Sequence, residues 1–479
     1  MPSLLLKRFN RSPARLLWLA FFLVLVSLAP ANDHWPQFRG PSGSGLGQGA
    51  GYPTIFGEKT NLLWKIEPGS GNSSPVIWGH RLFLTSFVND RLIITSYELE
   101  TGQVQWHHEI QPIRIERGHQ NGSPATSTPA ANQDFLVTYF GSFGLIVYSH
   151  EGKELWRKEL PVPVTQHGAG SSPVIFENRI YLVCDEDVAS SMLCLDIHDG
   201  NILWKKERPL MRRGFSTPLI WPSAKPDTLV VAGTLQLKGY DLKSGEEKWS
   251  VNGLPNEMVS SPIGDQERIY VAAWTLGSGV PTMPPFSQIL EQLDKNKDGN
   301  ISQEEATTAM MRNNFGYIDA NKDNLITQKE YETIAAIFAA SKNAIMAISP
   351  HGEGDQTTSV LWKQTKGLPY APSPLVSSNR IYTVKNGGMV SCFDSKTGNP
   401  HYLEERVGIV GDYYASPVLA DGKLYLSAQQ GSVVVLEAGN QFHLLATNTL
   451  PDRIMATPAL VNGKIYLRTL SNLYSFGIK

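Results

Sequence analysis

The chain has 479 residues, a formal net charge of −2 and three cysteines, and it is rich in glycine, proline and tryptophan. A nearly neutral chain carries no basic field for nucleic acid or for an anionic membrane, so neither is expected as a partner. Three cysteines do not make a disulfide framework. The many turn residues and aromatics predict an all-β protein, a class in which one domain can reach this length.

The start of the chain predicts an export signal. Four basic residues precede Leu16–Ala29, an apolar run that is short for a membrane span. Ala29-Pro30-Ala31 then has the small-x-small pattern of a cleavage site. We expect a signal peptide over residues 1–31 and a periplasmic or extracellular protein with no stable membrane anchor after cleavage. The alternative is an uncleaved anchor.

A repeated unit organises the rest of the chain. Residues 171–204 are its clearest copy and are predicted to form three short strands and the start of a fourth. Each copy opens on a Ser/Thr-Pro step, and the eight steps are Ser74-Pro75, Thr128-Pro129, Ser172-Pro173, Thr217-Pro218, Ser261-Pro262, Ser373-Pro374, Ser416-Pro417 and Thr457-Pro458. Several copies close on Gly-x-x-x-Trp or its tyrosine variant, at Gly102–Trp106, Gly152–Trp156, Gly200–Trp204, Gly245–Trp249 and Gly398–Tyr402.

The spacing of these copies predicts the fold. Successive prolines of the steps lie at similar intervals, except for the long interval between Pro262 and Pro374. A period of about 44 residues with four strands per copy is typical of a β-propeller. We therefore expect an all-β, eight-bladed β-propeller of four-stranded antiparallel blades. The last copy holds three strands only, so the isolated segment Asn61–Glu67 is predicted to complete it and close the ring, which hides the sheet edges.

The cysteines fit packing positions better than a disulfide. Cys194 and Cys392 occupy the same place in their repeats, where other copies have Gly239 and Ser96. A position that small residues share is a packing position. Cys184 would face Cys194 if the hairpin turn centred on Ala189, which an oxidising compartment would allow, but we do not expect this bond.

The long interval marks an insertion in the fifth blade. It is more than twice the length of the others, and the excess lies between Trp274 and Asn343, between the second and third strands. We divide the chain into a signal peptide (1–31), an N-terminal extension (32–60), a first propeller part (61–280), the insertion (281–342) and a second propeller part (343–479).

Two tandem loops in the insertion match the EF-hand calcium loop. Alternate residues of such a loop direct oxygens at a hard cation, and a bidentate Glu completes the shell. In the first loop, DKNKDGNISQEE, the predicted ligands are Asp294, Asn296, Asp298, Asn300 through its carbonyl, and Glu305. In the second, DANKDNLITQKE, they are Asp319, Asn321, Asp323, Leu325 through its carbonyl, and Glu330. We expect two bound Ca²⁺ ions in a structural role.

Three details refine this prediction. Asn324 stands where the first loop has Gly299, so the second site is expected to be weaker. Ile301 and Ile326 should pair between the two loops. Phe286–Leu293 and Glu330–Ala340 have the apolar spacing of flanking helices, and the short spacer between the loops, Ala306–Ile318, makes this a compressed pair.

Two patterns resemble a known family. Ser-Pro followed by Asp-x-x-x-Gly-x-x-x-Trp, as at Asp196, Gly200 and Trp204, resembles the PQQ-like, or quinoprotein-type, β-propeller repeat. Trp35–Pro41 (WPQFRGP) resembles the N-terminal signature of exported bacterial members. The resemblance covers most of residues 35–479. It implies that the tryptophans at the ends of the repeats dock blade to blade, but a fold alone does not fix a function.

The family has two functional branches. One resembles the scaffold propeller of the outer-membrane protein assembly machinery, which binds partners without catalysis. The other resembles quinoprotein alcohol and sugar dehydrogenases, which hold PQQ and calcium in the central funnel. This chain lacks the adjacent cysteine pair of many such enzymes, and it also lacks the scaffold's lipid-anchor cysteine. We expect a calcium-binding scaffold without catalytic residues and without PQQ. The alternatives are a quinoprotein-like oxidoreductase acting on alcohols or sugars and, third, a carbohydrate-binding or carbohydrate-processing accessory protein.

Polar residues just before the Ser/Thr-Pro steps are expected to converge near the propeller axis. They are His119, His167, Arg212, Arg213, Glu257, Tyr370, Tyr413, Tyr414 and Arg453. The chosen candidates for contact with a protein or saccharide ligand are His167, Arg213, Tyr413 and Arg453. The alternative is that such residues simply line a solvated channel. The insertion should lie on the same rim, as a lid or docking element, and Asp185-Glu186-Asp187 is expected to form a solvated turn.

Overall fold

Eight antiparallel sheets follow one another along the chain in the computed structural model, which describes residues 34–276, 278 and 283–478. The strands of blade 1 are Val76–Trp78, Arg81–Val88, Arg91–Glu98 and Val104–Ile110. Those of blade 2 are Ala130–Ala131, Leu136–Phe140, Gly144–Tyr148 and Glu154–Glu159. Those of blade 3 are Val174–Phe176, Arg179–Cys184, Ser191–Asp196 and Ile202–Glu207. Those of blade 4 are Leu219–Trp221, Thr228–Gly233, Gln236–Asp241 and Glu247–Asn252.

The second half of the propeller repeats this order. The strands of blade 5 are Ile263–Gly264, Ile269–Ala273, Ala344–Ile348 and Val360–Gln364. Those of blade 6 are Leu375–Ser377, Arg380–Lys385, Met389–Asp394 and Pro400–Arg406. Those of blade 7 are Val418–Ala420, Lys423–Ser427, Ser432–Glu437 and Leu444–Thr449. Those of blade 8 are Ala459–Val461, Lys464–Arg468, Leu473–Phe476 and, from the other end of the chain, Leu62–Ile66.

The ring closes as the repeat predicts. Leu62–Ile66 pairs antiparallel with Leu473–Phe476, with Trp64 opposite Ser475. The eight-bladed propeller and the closing strand are therefore both confirmed. Two short strands add to blade edges: His34–Trp35 pairs with Val76–Trp78, and Gly354–Asp355 pairs parallel with Glu247–Asn252.

Tryptophans at the ends of blades 1, 2, 3, 5 and 8 join each of these blades to the next. Their indole N–H groups donate to carbonyls of the following blade, in the pairs Trp64–Leu99, Trp106–His150, Trp156–Ile197, Trp204–Leu242 and Trp362–Ser395. The ring of each also covers the glycine of that blade's closing turn; a Cβ on Gly245 would lie 2.7 Å from the Trp204 ring. The glycine of each Gly-x-x-x-Trp motif therefore accommodates the tryptophan of the preceding blade. The docking that the resemblance implied is confirmed for these residues.

The N-terminal segment runs across one end of the ring. After pairing with blade 1 at His34–Trp35, it reaches blade 7, where Leu46 bridges Leu419 and the Gly51 N–H donates to Asp421. Between them, the buried Arg39 donates through Nη2 to the Pro374 carbonyl of blade 6 at 2.6 Å, and burial lowers the pKa of Arg39 to about 9. The Pro36 carbonyl also accepts from the Ala131 N–H of blade 2, so the WPQFRGP signature belongs to a crossing segment that contacts blades 1, 2, 6 and 7.

The insertion lies between the second and third strands of blade 5, as predicted. It contains helices α1 (Phe286–Leu293), α2 (Ala309–Ile318) and α3 (Gln328–Ala340), with its own apolar core. Two short strands, Ile301–Ser302 and Leu325–Ile326, pair antiparallel with Ile301 opposite Ile326, which confirms that prediction. The spacer between the loops holds a single helix, α2.

The cysteines are free and do not face each other. Cys184 lies opposite Ser191, whereas Cys194 lies opposite Tyr181, because the hairpin turn centres between residues 187 and 188 and not on Ala189. Cys194 and Cys392 are fully buried in hydrophobic clusters, which confirms them as packing residues.

The predicted signal segment lies outside the described residues. Within the described ranges, no helix has the length and apolar character needed to cross a membrane.

Candidate functional site

A closed ring of hydrogen bonds surrounds the propeller axis. Each Ser or Thr of a Ser/Thr-Pro step donates its backbone N–H to the side-chain hydroxyl of the same residue in the next blade. The eight bonds, of 2.9–3.1 Å, join Ser74 to Thr128, then Ser172, Thr217, Ser261, Ser373, Ser416, Thr457 and again Ser74. Because each hydroxyl accepts in this ring, its own proton stays available to donate.

These hydroxyls line a central cavity of about 300 Å³. Loop side chains from several blades complete its wall: His119, His167, Glu257, Tyr370 and Tyr414. Phe38 of the crossing N-terminal segment also lines it, and Phe38 lines a second cavity of about 300 Å³ that this segment borders. The axis therefore holds a chamber that is ringed by hydroxyls and has both polar and apolar residues in its wall.

A carboxyl group and an imidazole in this chamber have strongly shifted pKa values. Burial raises the pKa of Glu257 to about 7, although the charge of Arg213 acts in the opposite sense. Burial and the nearby Arg213 charge lower the pKa of His167 to about 4, so this imidazole is neutral at pH 7. His167 lies 5.1 Å from the ring of His119, measured between centroids. No hydrogen bond or ion pair to the Glu257 carboxylate exists among the residues that the structure describes.

The four chosen funnel residues occupy different places. His167 lines the cavity. Arg213 does not line it; the Arg213 guanidinium makes a bidentate pair with Asp187 at 2.8 and 3.0 Å and stacks 4.4 Å from the centre of the Tyr317 ring. Arg453 lies nearby and donates to Asn121 at 2.9 Å.

Tyr413 does not line the cavity, contrary to the expectation. It is fully buried in a hydrophobic cluster of blades 6 and 7, and its hydroxyl donates to the Ile409 carbonyl. The neighbouring Tyr414 lines the cavity instead. Adjacent residues of an extended chain point in opposite directions, so only one of the two tyrosines can face the axis.

Asn121 lines the cavity, although it is not among the residues predicted from sequence. Its Nδ2 donates to the Tyr414 hydroxyl at 2.9 Å, and its Oδ1 accepts from Arg453. Its carbonyl accepts from Asn72 at 2.9 Å. The loop between blades 1 and 2 is thereby tied to the loops that follow blades 6 and 7. The only local signal was the turn-forming Asn121-Gly122 pair.

The acidic run Asp185-Glu186-Asp187 is not a solvated turn, so that expectation was wrong. Asp185 is buried and makes a bidentate pair with Arg208 at 2.7 and 2.9 Å. Asp187 is equally occupied by Arg213. Buried carboxylates need cationic partners. Arg208 and Arg213 lie far from the acidic run in sequence, so no local pattern indicates these pairs.

The two acidic loops of the insertion have nearly the same internal hydrogen bonds. In the first loop, the Glu305 carboxylate accepts from the backbone of Lys295, Asn296 and Ser302 and from the Ser302 hydroxyl. These bonds lower the pKa of Glu305 to about 2. In the second loop, Glu330 accepts from the corresponding positions, Ala320, Asn321 and Thr327. Each glutamate therefore crosses back to the start of its own loop.

The two loops differ in how many carboxylate oxygens of their first residue accept a hydrogen bond. Asp294 Oδ2 accepts from Gly299, whereas its Oδ1 is buried and has no hydrogen-bond partner among the described residues. In the second loop both oxygens of Asp319 are occupied, by the N–H groups of Lys322 and Asn324. Gly299 and Asn324, at the sixth position of each loop, both have left-handed backbones, with φ of 83° and 65°.

The remaining predicted ligands lie on these same loops. Asn296 and Asn321 each donate to the aspartate two residues later, Asp298 and Asp323, at 2.8 Å. Those aspartates accept in turn from the N–H groups of Asn300 and Leu325. In the part of the chain that the structure describes, no group of three or more His, Cys, Asp or Glu side chains is arranged to hold a metal ion. Calcium binding at these loops stays a prediction.

Comparisons with known proteins place the fold in one family. The family model described as "Outer membrane protein assembly factor BamB" matches residues 89–273 and 211–476. No curated protein matches the chain in sequence. The crystal structure of BamB from Moraxella catarrhalis is similar with a TM-score of 0.55 and 12% identity, over 87% of this chain and 97% of that one.

Two solved enzymes share the fold to a similar degree. A europium-containing methanol dehydrogenase has a TM-score of 0.57 and 10% identity, over 93% of this chain and 98% of its own. The quinohemoprotein alcohol dehydrogenase from Comamonas testosteroni has a TM-score of 0.56 and 10% identity, over 94% and 81%. At such identities these structures indicate the fold alone. The family model covers most of the propeller, and the chain therefore belongs to the PQQ-like β-propeller family that this model describes as BamB.

Proposed function

We propose that this protein is an exported, calcium-binding β-propeller that serves as a binding scaffold and has no catalysis of its own. The family match supports the scaffold role, because the matching family is described as an assembly factor. The observation that carries the calcium role is the buried Oδ1 of Asp294, which has no hydrogen-bond partner among the described residues, in a loop whose predicted ligands all offer oxygen atoms.

The donor set suits a hard cation. Calcium takes six to eight oxygen ligands from carboxylates, amides and backbone carbonyls, and each loop offers three carboxylates in this arrangement. A cation would compensate the charge of the Asp294 carboxylate, whose buried Oδ1 otherwise has no partner among the described residues. The short strand pair at Ile301 and Ile326 couples the two loops, so binding at one stabilises the other.

The central cavity does not fit the quinone cofactor of the enzyme branch. PQQ is a tricarboxylate, so a matching site needs cationic partners. Among the described residues that line the cavity there is no Lys or Arg, and its one carboxylate, Glu257, would repel an anion. His167 is neutral at pH 7, because its pKa is lowered to about 4. The lining instead suits a neutral, hydroxylated or amide-bearing group of a ligand.

Thermal unfolding with calcium or with EGTA tests the calcium role. Saturating each site at roughly 10–100 times its Kd should stabilise the native state by about 1.4–2.7 kcal/mol per site. Calcium should therefore raise the Tm of the wild type, and Glu305→Gln combined with Glu330→Gln should abolish this rise. The matched control is Glu304→Gln with Glu332→Gln, which alters neighbouring carboxylates outside the predicted ligand set. A wild-type Tm that millimolar calcium leaves unchanged would refute the calcium role.

The second candidate is a quinoprotein-like oxidoreductase, because the chain shares its fold with two solved dehydrogenases. Reconstitution with PQQ separates it from the scaffold. The scaffold predicts no quinone absorbance that elutes with the protein and no reduction of a dye with alcohols or sugars. Substrate-dependent dye reduction by the reconstituted protein would overturn the scaffold proposal.

A further inference from the structure

A groove separates the insertion from the loops that join blades 1 to 2 and 2 to 3. It encloses about 630 Å³, more than twice the volume of the central cavity. We call it the insertion groove and define it by Arg114, Ile115, Arg117, Val164, Arg312 and Lys322, which line it. Its volume lies in the usual range for a binding site.

The cations of the insertion groove are available to a ligand. Arg114, Arg117, Arg312 and Lys322 are all exposed. Arg312 donates through Nη2 to the Thr307 carbonyl, which leaves the rest of its guanidinium free. Within the described ranges, no ion pair or side-chain hydrogen bond engages Arg114, Arg117 or Lys322. Four cationic side chains from the two sides of one groove therefore keep most of their donors open.

The carboxylates that line the groove are already occupied. Asp187 is held bidentately by Arg213. Asp319 accepts from the N–H groups of Lys322 and Asn324 within its own loop, at 2.8 and 3.1 Å. Glu186, beside the groove, accepts from the Val164 N–H at 2.8 Å. The groove thus presents an excess of positive charge on a chain whose net charge is −2.

Apolar side chains accompany these cations. Ile115 and Val164 line the groove with 36% and 42% of their surface exposed, and Ile113 beside it is 96% exposed. In the run Ile113–Arg117, Ile113 and Ile115 flank Arg114, and the buried Glu116 separates Ile115 from Arg117. A ligand complementary to this surface needs carboxylates and aliphatic groups at short intervals along an extended chain.

We propose that the insertion groove binds an acidic peptide segment of a partner protein, in which glutamate or aspartate alternates with aliphatic residues. This inference rests on the proposed scaffold function and names the chemistry of its partner. Arginine binds carboxylates through paired hydrogen bonds, which gives orientation as well as affinity. A nucleic acid fits less well, because only four cations are present among the described lining residues, and Asp187, Glu186 and the acidic second loop border them.

Fluorescence anisotropy with a labelled peptide of alternating glutamate and leucine tests the proposal on the full chain. The peptide should bind, and raising the salt from about 50 to about 300 mM should weaken it, since the contacts are exposed ion pairs. Arg117→Glu with Arg312→Glu should lower the affinity by about tenfold or more, equivalent to at least about 1.4 kcal/mol. The control is Lys225→Glu with Arg406→Glu, an equal charge change on exposed residues elsewhere, which should keep most of the affinity.

Three results would overturn the proposal. No binding by the wild type, or equal loss in the control variant, would overturn the proposal. Displacement of the peptide by millimolar pyrophosphate or by heparin at lower concentration would identify a general polyanion site and would also overturn it. The calcium-dependent Tm shift is measured on the same variants. If the calcium-dependent Tm shift is present while the peptide fails to bind the wild type, the groove proposal fails and the calcium role remains. A variant that is unfolded would show no such shift.

Discussion

The backbone N–H of Thr457 donates to the hydroxyl of Ser74 at 3.1 Å, across 383 residues of sequence. This bond joins blade 8 to blade 1 and completes the ring of hydroxyls around the axis. The strand pair Leu62–Ile66 with Leu473–Phe476 closes the propeller within blade 8 itself. The propeller ring is therefore closed in two ways: main-chain pairing completes blade 8, and a hydrogen bond to the Ser74 hydroxyl joins blade 8 to blade 1 next to the cavity.

Ser74→Ala removes one acceptor of this ring. The Thr457 N–H then stays buried without a partner, which should lower the free energy of unfolding by about 1–3 kcal/mol. Urea unfolding measures the change. Ser287→Ala, on the exposed surface of α1, is the control and should leave the stability nearly unaltered. Equal stability of Ser74→Ala and wild type would mean that water or another acceptor replaces the hydroxyl.

Gly245→Ala tests the docking of one blade on the next. Gly245 has φ of 70°, and a Cβ there would lie 2.7 Å from the Trp204 ring. Gly422 has nearly the same φ, 68°, but a Cβ there meets nothing within 4 Å. Gly422→Ala should cost only the backbone strain, about 1–2 kcal/mol. Gly245→Ala should cost about 1–3 kcal/mol more, because the indole must move. Equal losses in denaturant unfolding would contradict this role of the tryptophan.

The repeated features of this fold could be predicted from sequence. Each blade repeats the same turn and packing chemistry, so the eight Ser/Thr-Pro steps determined the blade number, and a segment without a blade, Asn61–Glu67, indicated the closing strand. Ile301 and Ile326 occupy the same position in the two loops of the insertion, which predicted that they pair. These successes depend on patterns that are local or recur at a fixed period.

The cavity was harder to predict, because its residues meet only in three dimensions. Tyr413 and Tyr414 have the same chemistry, and only the direction of the chain decides that Tyr414 faces the axis. Asp185 was predicted to belong to a solvated turn, because the sequence around it does not indicate its partner Arg208. Asn121 lines the cavity through contacts with Tyr414 and Arg453, which belong to the other half of the propeller. A single sequence carries no signal for such pairings.

Glu116 should make the stability depend on pH. Its carboxyl is buried, with Oε2 accepting from the Ala169 N–H at 2.6 Å and Oε1 without a partner among the described residues. Burial raises the pKa of Glu116 to about 7. The folded state then binds a proton that the unfolded state releases near pH 4.5, so this group's stabilisation is complete below that pH and is lost as the pH rises through 7.

The expected loss from this one group is about 3 kcal/mol at most between pH 4.5 and pH 7.5. Glu116→Gln should remove this part of the pH dependence and so flatten the curve of unfolding free energy against pH. Glu159→Gln, which alters an exposed carboxyl, should leave the slope as in the wild type. A Glu116→Gln curve parallel to that of the wild type would show that Glu116 titrates alike in both states.

Asn324→Gly should strengthen the second loop. Asn324 holds a left-handed backbone, with φ of 65°, which glycine adopts without strain. Because the substitution relieves strain in the loop, calcium affinity at the second site should rise by a few-fold, whereas Gly299→Asn should weaken the first site. Calcium titration of each variant measures the change. A fall in affinity for Asn324→Gly would indicate that the asparagine side chain itself supports the loop.

Calorimetric titration of the wild-type protein with calcium tests the central claim most directly. The two loops predict two bound Ca²⁺ ions per chain, with the loop that contains Gly299 binding more tightly than the loop that contains Asn324. Binding heat with a stoichiometry near two agrees with a calcium-binding scaffold. The absence of binding heat up to about 10 mM calcium, beyond the usual range of extracellular calcium modules, would contradict it.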